Sequence, residues 1–416
     1  MKRKKTDRYR LLIALIMAIV PLSTYAQQAT EQSSVDQPVN NQSANPMDSV
    51  TISLLTCSPH QTVYSLYGHT AIRVNDRRTG RDIAINYGMF SFSKPHFVLR
   101  FVFGLTDYEM GIEDFQEFCN IYAFYGSSVT EQMLDLLPEE KMRILQALED
   151  NYQPENRVYR YNYFYDNCTT RARDMITDHL NGKVRYREEE QYPSFRELIH
   201  EWNEEHPWAR FGNDMLLGIQ ADQPTDISEQ QFIPANTMRD FDNAYILSED
   251  GEKRPLVGCK MVVVPAREQV VEKEFPLRPR TCAIILLAVT ILVCIIERIS
   301  KKIFWGYDLL LMLASGLAGC VLFVMIFSQH PTVKINLQLL LLNPLPLFFI
   351  WRMVRRTRKH MPDQQYLEWI ILIILAMMAS LLQHFAEGML LVALSLLVRN
   401  IWRYTNNQYD KKKYHQ

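Results

Sequence analysis

An excess of charge of either sign is missing from this chain: 45 Lys and Arg stand against 46 Asp and Glu among 416 residues, a formal net charge of −1. Nucleic-acid binding rests on a basic excess facing phosphates, so composition gives no reason to count nucleic acid among the partners. A metal-ligand set is missing too. "FGNDMLLGIQADQPTD" (211–226) brings Asp214 and Asp222 near each other, but no third and fourth ligand follow at recognisable spacing. The two aspartates therefore read as turn and cap residues. Apolar periodicity is absent from residues 27–47, which are rich in Gln, Ser, Asn and Thr. Such a segment cannot bury a core and reads as a flexible tether.

What is present divides sharply along the chain. Lys2, Arg3, Lys4, Lys5, Arg8 and Arg10 precede an unbroken apolar run over 11–20, and Thr24-Tyr25-Ala26 offers small residues at cleavage positions. This is the pattern of a secretory signal peptide over 1–26; an uncleaved anchor is the alternative, although the run is short for a span. Residues 48–280 are mixed, aromatic and charged, enough for one good core. From 281 to 404 five apolar runs follow, roughly 282–297, 304–327, 337–351, 367–383 and 387–402, each near bilayer-crossing length. Arg298, Lys301 and Lys302 follow the first run, Arg352 to Lys359 the third, and Arg399, Arg403 and Lys411 to Lys413 the fifth, while the intervening turns hold only Lys334. Basic loops stay in the cytoplasm. The expected topology is an exported 48–280 domain, five spans and a cytoplasmic tail over 405–416, with only Arg278 and Arg280 dissenting.

Within 48–280, "SVTISLLTCS" (49–58), "HTAIRVND" (69–76), "RDIAINYG" (81–88) and "RVYRYNYFY" (157–165) alternate like strands. Residues 130–152 have helical periodicity, with Thr130 as cap and Pro138 interrupting or restarting the helix, and Ser194 and Glu197 have capping-box spacing before a second helix. Strands and helices do not alternate regularly, which predicts an α+β domain.

The chemistry gathers in "YNYFYDNCTTRARDMITDHL" (161–180). Tyr159, Tyr161, Tyr163 and Tyr165 share one strand face by alternation, and a turn at Asp166-Asn167 leads into helical spacing of Ala172, Met175, Ile176, His179 and Leu180. Cys168 then sits in the first turn of that helix, where free N–H groups and the positive dipole end favour a thiolate. The alternatives are a buried small residue or a disulfide partner of Cys57, Cys119 or Cys259. A nucleophilic cysteine needs a base. His69, at the entry to a strand, is preferred to His60 in a loop, His96 after a proline, and His179 far down the same helix. Asn86, on a neighbouring strand, is the candidate to orient the imidazole. A strand histidine facing a cysteine at a helix N-terminus is the papain-like arrangement, with histidine first here, as circular permutation of that fold would give.

The blocks "LLTCSPHQTVYSLYGHTAIRV", "INYGMFSF", "YNYFYDNCTTRARD", "FGNDMLLGIQAD" and "HPTVKINLQLLLLNPLP" resemble the Lnb-type lipoprotein N-acyltransferases of Bacteroidota over about 48–400. "CSPH" departs from the glycine-containing form of that family's loop. The resemblance implies a permuted papain-like periplasmic domain on a multi-span domain in the inner membrane, with Cys168 and His69 as the catalytic pair. It also implies a membrane phospholipid as acyl donor, a diacylglyceryl-cysteine lipoprotein as acceptor, and no cofactor. Arg171 and Tyr67 are the candidates for substrate contacts in the soluble domain; His330, Asn336, Asn343 and His384 are polar residues at exported span ends and are candidates by position. Asn343-Pro344-Leu345-Pro346 reads equally as a helix kink. The rival functions are a membrane-anchored cysteine peptidase, amidase or phospholipase, and a non-enzymatic sensor or transporter.

Overall fold

The computed structural model describes residues 45–60, 65–89, 95–269, 275–359, 361 and 363–414. The expected signal peptide and nearly all of the tether lie outside these residues. The chain opens with β1 (Val50–Cys57), β2 (His69–Asp76), β3 (Arg81–Met89), a short α1 (Phe97–Val102), β4 (Asp107–Asp114) and α2 (Phe115–Tyr125). There follow β5 (Val129–Leu134), α3 (Pro138–Tyr152), β6 (Val158–Arg160) and α4 (Cys168–Thr177). The domain is completed by β7 (Lys183–Arg185), α5 (Phe195–Asn203), α6 (Pro207–Leu216), α7 (Pro234–Asp242), β8 (Tyr245–Leu247), β9 (Lys253–Pro255) and β10 (Val257–Val264).

Seven strands make one antiparallel sheet in the order β10-β5-β1-β2-β3-β4-β6, and β7-β8-β9 form a small second sheet. Alternation along β1 sends Ile52 and Leu54 into a core shared with Ile144 and Leu148 of α3, Ala172 and Ile176 of α4 and Phe241 of α7. Leu55 and Cys57 face the other way, against Phe118 and Cys119 of α2. Helices thus cover both faces of the sheet, and the expected α+β domain is present.

Two elements differ from the sequence expectation. Thr130 does not cap a helix: Val129–Leu134 is a strand inserted between β1 and β10, and long-range pairing overrides its local helical spacing. The helix begins at Pro138, which needs no N–H at that position, while Glu140 accepts from the Leu137 N–H at 2.8 Å. The aromatic strand is also shorter than expected. Only Val158–Arg160 pairs with β4, after which Asn162 and Asp166 close a turn, so the four tyrosines do not stay on one face.

The C-terminal region is helical: α8 (Pro279–Ser300), α9 (Trp305–Met325), α10 (Leu345–Arg358), α11 (Gln365–Ala379) and α12 (Met389–Tyr414). Ile285, Leu292, Leu310, Leu317, Trp351 and Leu381 point outward and exposed, as suits lipid. The third apolar run is not one helix. Residues 337–340 form a 3-10 turn, and α10 starts after Pro344. Asn343 Oδ1 accepts from the Leu345 N–H at 3.2 Å, so the Asn-Pro pair separates two elements and does not kink one. By length and composition the spans 279–300, 305–325 and 331–358 are sufficient to cross a bilayer, while 365–379 is shorter.

The soluble domain is fastened to this region through main-chain bonds. Gly218 N–H donates to Thr332 O at 2.8 Å and Ile219 N–H to Ile335 O at 2.9 Å. A Cβ on Gly218 would lie 2.1 Å from Ile335 O, so this approach needs glycine.

Candidate active site

Asn167 is the N-cap of α4: its Oδ1 accepts from the N–H groups of Thr169 and Thr170 at 2.8 and 3.0 Å. Its own amide donates to Tyr163 O and Phe232 O at 3.0 and 2.8 Å, which pins the cap to the loop before it and to the segment before α7. Cys168 is therefore the first helical residue, as the sequence predicts, on a rigid support. The thiol is half-buried and hydrogen-bonded to the His69 imidazole and the Thr70 backbone N–H. Burial alone pushes this thiol up, but the His69 charge and hydrogen bond, together with the Thr70 and Thr169 contacts, outweigh it and bring the pKa down to about 7. For His69, burial disfavours the cation, yet the facing thiolate, Asn86 and Glu113 together raise its pKa. Each partner stabilises the charged form of the other.

His69 opens β2, and Asn86 pairs with Ala71 on β3, so the two side chains share a sheet face. Asn86 Oδ1 accepts from the Gly88 N–H at 2.7 Å, which fixes the amide's orientation. The same oxygen lies 2.9 Å from His69 Nε2. Nε2 thus carries a proton and Nδ1 is left for the thiol. Asn86 Nδ2 reaches Glu113 Oε1 at 3.4 Å, a weak tie to β4. Gly88 leaves room for the ring: a Cβ there would stand 2.7 Å from His69 Cε1.

The thiol opens into a cleft of about 210 Å³. Its walls include the rings of Tyr67, Tyr108, Tyr122, Tyr161 and Tyr163 and the Phe232 side chain. Tyr108 stacks on Tyr161 with centroids 4.1 Å apart. The setting is aromatic, with the polar side chains of Ser58, Ser65, Asn86 and Thr169 also on its lining. His60 lines the same cleft and stacks on Tyr125 at 4.4 Å; it has no part in the Cys168 pair. All seven cysteines are free thiols, so Cys57, Cys119 and Cys259 make no disulfide with Cys168 or one another.

Of the six candidates for substrate contacts, Tyr67 alone lines the cleft, and its hydroxyl is held by Asn203 and Asn213 amides at 3.3 and 2.8 Å. Arg171 is committed elsewhere. Its guanidinium is bidentate to Asp166 at 2.6 and 2.9 Å and lies over the Tyr159 ring at 3.8 Å. Asn336 donates to Met215 O at 2.7 Å and accepts from Gln383 at 3.0 Å. The His384 N–H donates to Asp222 at 3.0 Å. These two residues dock the soluble domain on the helices, and Asn343 packs against Gly319 of α9. His330 is buried beside Phe101 and Gly104. Asp214 and Asp222 are neither turn nor cap residues: both accept from the buried Arg196, at 2.8 and 2.5 Å. Among the described residues no group of His, Cys, Asp and Glu has the makings of a metal site.

Tyr108, Tyr122, Asn167 and Glu113 were not singled out by the sequence. Asn167 carried a signal, since Asn just before a helical spacing is a cap pattern; the others follow only from how distant strands and α2 come together.

A family model for the Lnb N-terminal periplasmic domain matches residues 37–201, and one for the Lnb transmembrane domain, a domain of five helices by its name, matches residues 270–412. No curated protein and no solved structure matches the chain. The two matches fall in order on the sheet-rich domain and on the apolar helices, and the chain belongs to the Lnb-type family of multi-pass membrane proteins with an N-terminal periplasmic domain.

Proposed function

We propose that the protein is a lipoprotein N-acyltransferase of the inner membrane, taking an acyl chain from a phospholipid ester and passing it, through a thioester on Cys168, to the N-terminal amine of a diacylglyceryl-cysteine lipoprotein. The observation that carries this reading is the Asn86–His69–Cys168 chain of hydrogen bonds at the mouth of a tyrosine-lined cleft, in a domain bonded to apolar helices.

The thiolate of Cys168 attacks the ester carbonyl carbon, forming the C–S bond. With the Thr169 and Thr170 N–H groups held by the Asn167 cap, the Cys168 N–H is the first-turn donor of α4 that serves the resulting oxyanion. On collapse the C–O bond breaks and the His69 cation gives its proton to the departing alkoxide, releasing a lysolipid. The acceptor amine then attacks the thioester, neutral His69 takes the amine proton, and the C–S bond breaks to restore the thiolate–imidazolium pair. Ester and amine become amide and alcohol, with no external energy source. Asn86 holds the imidazole in the tautomer both steps require.

Hydrolysis by the same pair differs only in the second acceptor. The bonding of the catalytic domain to apolar helices, which sets the thioester close to lipidated acceptors, supports transfer. Purified protein in phospholipid vesicles with a synthetic diacylglyceryl-cysteine peptide is expected to yield amide-linked acyl peptide. Free fatty acid or cleaved peptide as the main product contradicts the assignment.

A further inference from the structure

The Cys168 cleft, at about 210 Å³, is smaller than the roughly 300–1,000 Å³ of a site that encloses a whole ligand. A long acyl chain therefore needs a continuation of the site toward lipid, and one line of side chains provides it. Tyr161, in the cleft wall, stacks with Phe101 of α1 at 6.5 Å between centroids and 29° between planes. Phe101 in turn lies 6.2 Å from the His330 ring.

α1 rests directly on the exported end of a membrane helix. The Gln329 N–H donates to Phe103 O at 3.0 Å, and Arg160 Nη1 reaches Gln329 Oε1 at 3.1 Å. Gln329 follows α9 by four residues, and at that end of the helix Phe323, Ile326 and Phe327 are exposed, Phe327 by 66%. On the α1 side Leu99 is 56% exposed, and Phe101 and Leu105 are also open. Arg100, between them, is turned to Asp107 and Leu105 O. Exposed apolar side chains thus stand on both sides of the junction between the lipid-facing end of α9 and α1, with Gln329, held by Arg160, between them, as expected of an interfacial segment.

We propose that Leu99, Phe101 and Leu105 form a lip embedded in the outer leaflet, and that one acyl chain of a bilayer phospholipid crosses it along Phe101 and Tyr161 to reach Cys168. The occupant is a lipid chain because the exposed apolar residues of α1 lie beside the lipid-facing end of a membrane helix and, among the described residues, the neighbouring cations Arg100 and Arg160 are paired with Asp107. The inference rests on the proposed function for its substrate, but its test separates the two.

First, Leu99 is replaced by benzoylphenylalanine in the full-length protein, which is reconstituted in phosphatidylethanolamine–phosphatidylglycerol vesicles and irradiated. An adduct with phospholipid acyl chains is expected; its absence overturns the lip whether or not Cys168 reacts. Second, the rates of Cys168 acylation by vesicle phospholipid and by a dispersed short-chain thioester are compared. In Leu99→Glu/Leu105→Glu the ratio of the two rates is expected to fall roughly tenfold, and in Leu99→Phe to stay near that of the native protein. An unchanged ratio in the glutamate variant overturns the lip. Failure of the native protein to be acylated by either donor overturns the proposed function, leaving the crosslinking result to decide the lip.

Discussion

His69 Nε2 and Asn86 Oδ1 lie 2.9 Å apart, on neighbouring strands, with the amide oxygen also held by the Gly88 N–H. This contact turns the other imidazole nitrogen toward Cys168, so the base is oriented before any substrate arrives. Cys168→Ala is expected to abolish acyl transfer. His69→Ala removes proton transfer in both steps, with an expected loss of ~10²–10⁴-fold in rate. Asn86→Ala leaves thiol and imidazole in place and costs less than His69→Ala. Initial rates of amide formation from vesicle phospholipid check the order.

The thiolate is expected to form near neutrality. Burial raises the Cys168 pKa, but the facing His69 overcomes it and brings the value to about 7. The thiol is protonated below that pH and ionised above it. The rate of alkylation by iodoacetamide should therefore rise through about pH 7, below the ~8.5 of an ordinary thiol. In His69→Ala the lowering influence is gone while burial remains, and the inflection should move upward. A native profile with its inflection above 8.5 would contradict the ion pair.

Gly88 is expected to act only through space. A methyl group added there meets His69 Cε1 at 2.7 Å and Asn86 Oδ1 at 3.1 Å, so Gly88→Ala must displace the ring from the thiol. The expected outcome is a large fall in rate and an upward shift of the alkylation inflection, with thermal unfolding close to that of the native protein. Native activity in Gly88→Ala would show that the observed ring position is not required.

A second set of buried charges lies far from the thiol, at the other end of the helices. Arg399 of α12 donates to Glu297 at 2.8 and 2.9 Å and to Asp308 at 2.6 and 3.1 Å, with all three side chains almost fully enclosed. Arg399→Ala leaves Glu297 with only the Trp402 and Phe304 N–H donors and Asp308 with only Arg403 at 3.3 Å, and breaking this buried network is expected to cost ~3–5 kcal/mol. Arg399→Ala/Glu297→Gln should lose less than the sum of its single variants, because the partners act as one network. Unfolding in detergent, followed by proteolysis, measures both.

Much of the placement of Cys168, His69 and Asn86 was legible because it depends on local patterns. The turn at Asp166-Asn167 and the spacing of Ala172, Ile176 and Leu180, which marks the buried helix face, set Cys168 in the first turn; the Asn167 cap itself stands outside that reading. Alternation along β2 and β3 put His69 and Asn86 on strands whose sides meet. The failures arise where the deciding partner is distant or unexpected. Residues 129–134 have a helix-like pattern, but β1 and β10 offer ladders on both sides, and these decide the strand. Arg171 reads as a free cation until Asp166 is seen to hold its fork. Asn336 and His384 read as groups awaiting a substrate; the Asn336 amide is held by Met215 and Leu216 O, the His384 backbone N–H by Asp222 and its ring lies against His200, all more than a hundred residues away in sequence, and no periodicity announces them.

The central claim is that an acyl chain rests on Cys168 between donor and acceptor. Intact-protein mass spectrometry after incubation in phospholipid vesicles without acceptor tests it most directly. The account predicts a mass increase of one acyl chain, mapped to Cys168, removed by neutral hydroxylamine, absent in Cys168→Ala, and discharged when diacylglyceryl-cysteine peptide is added. Turnover of phospholipid with no adduct on Cys168, or equal turnover by Cys168→Ala, would contradict it.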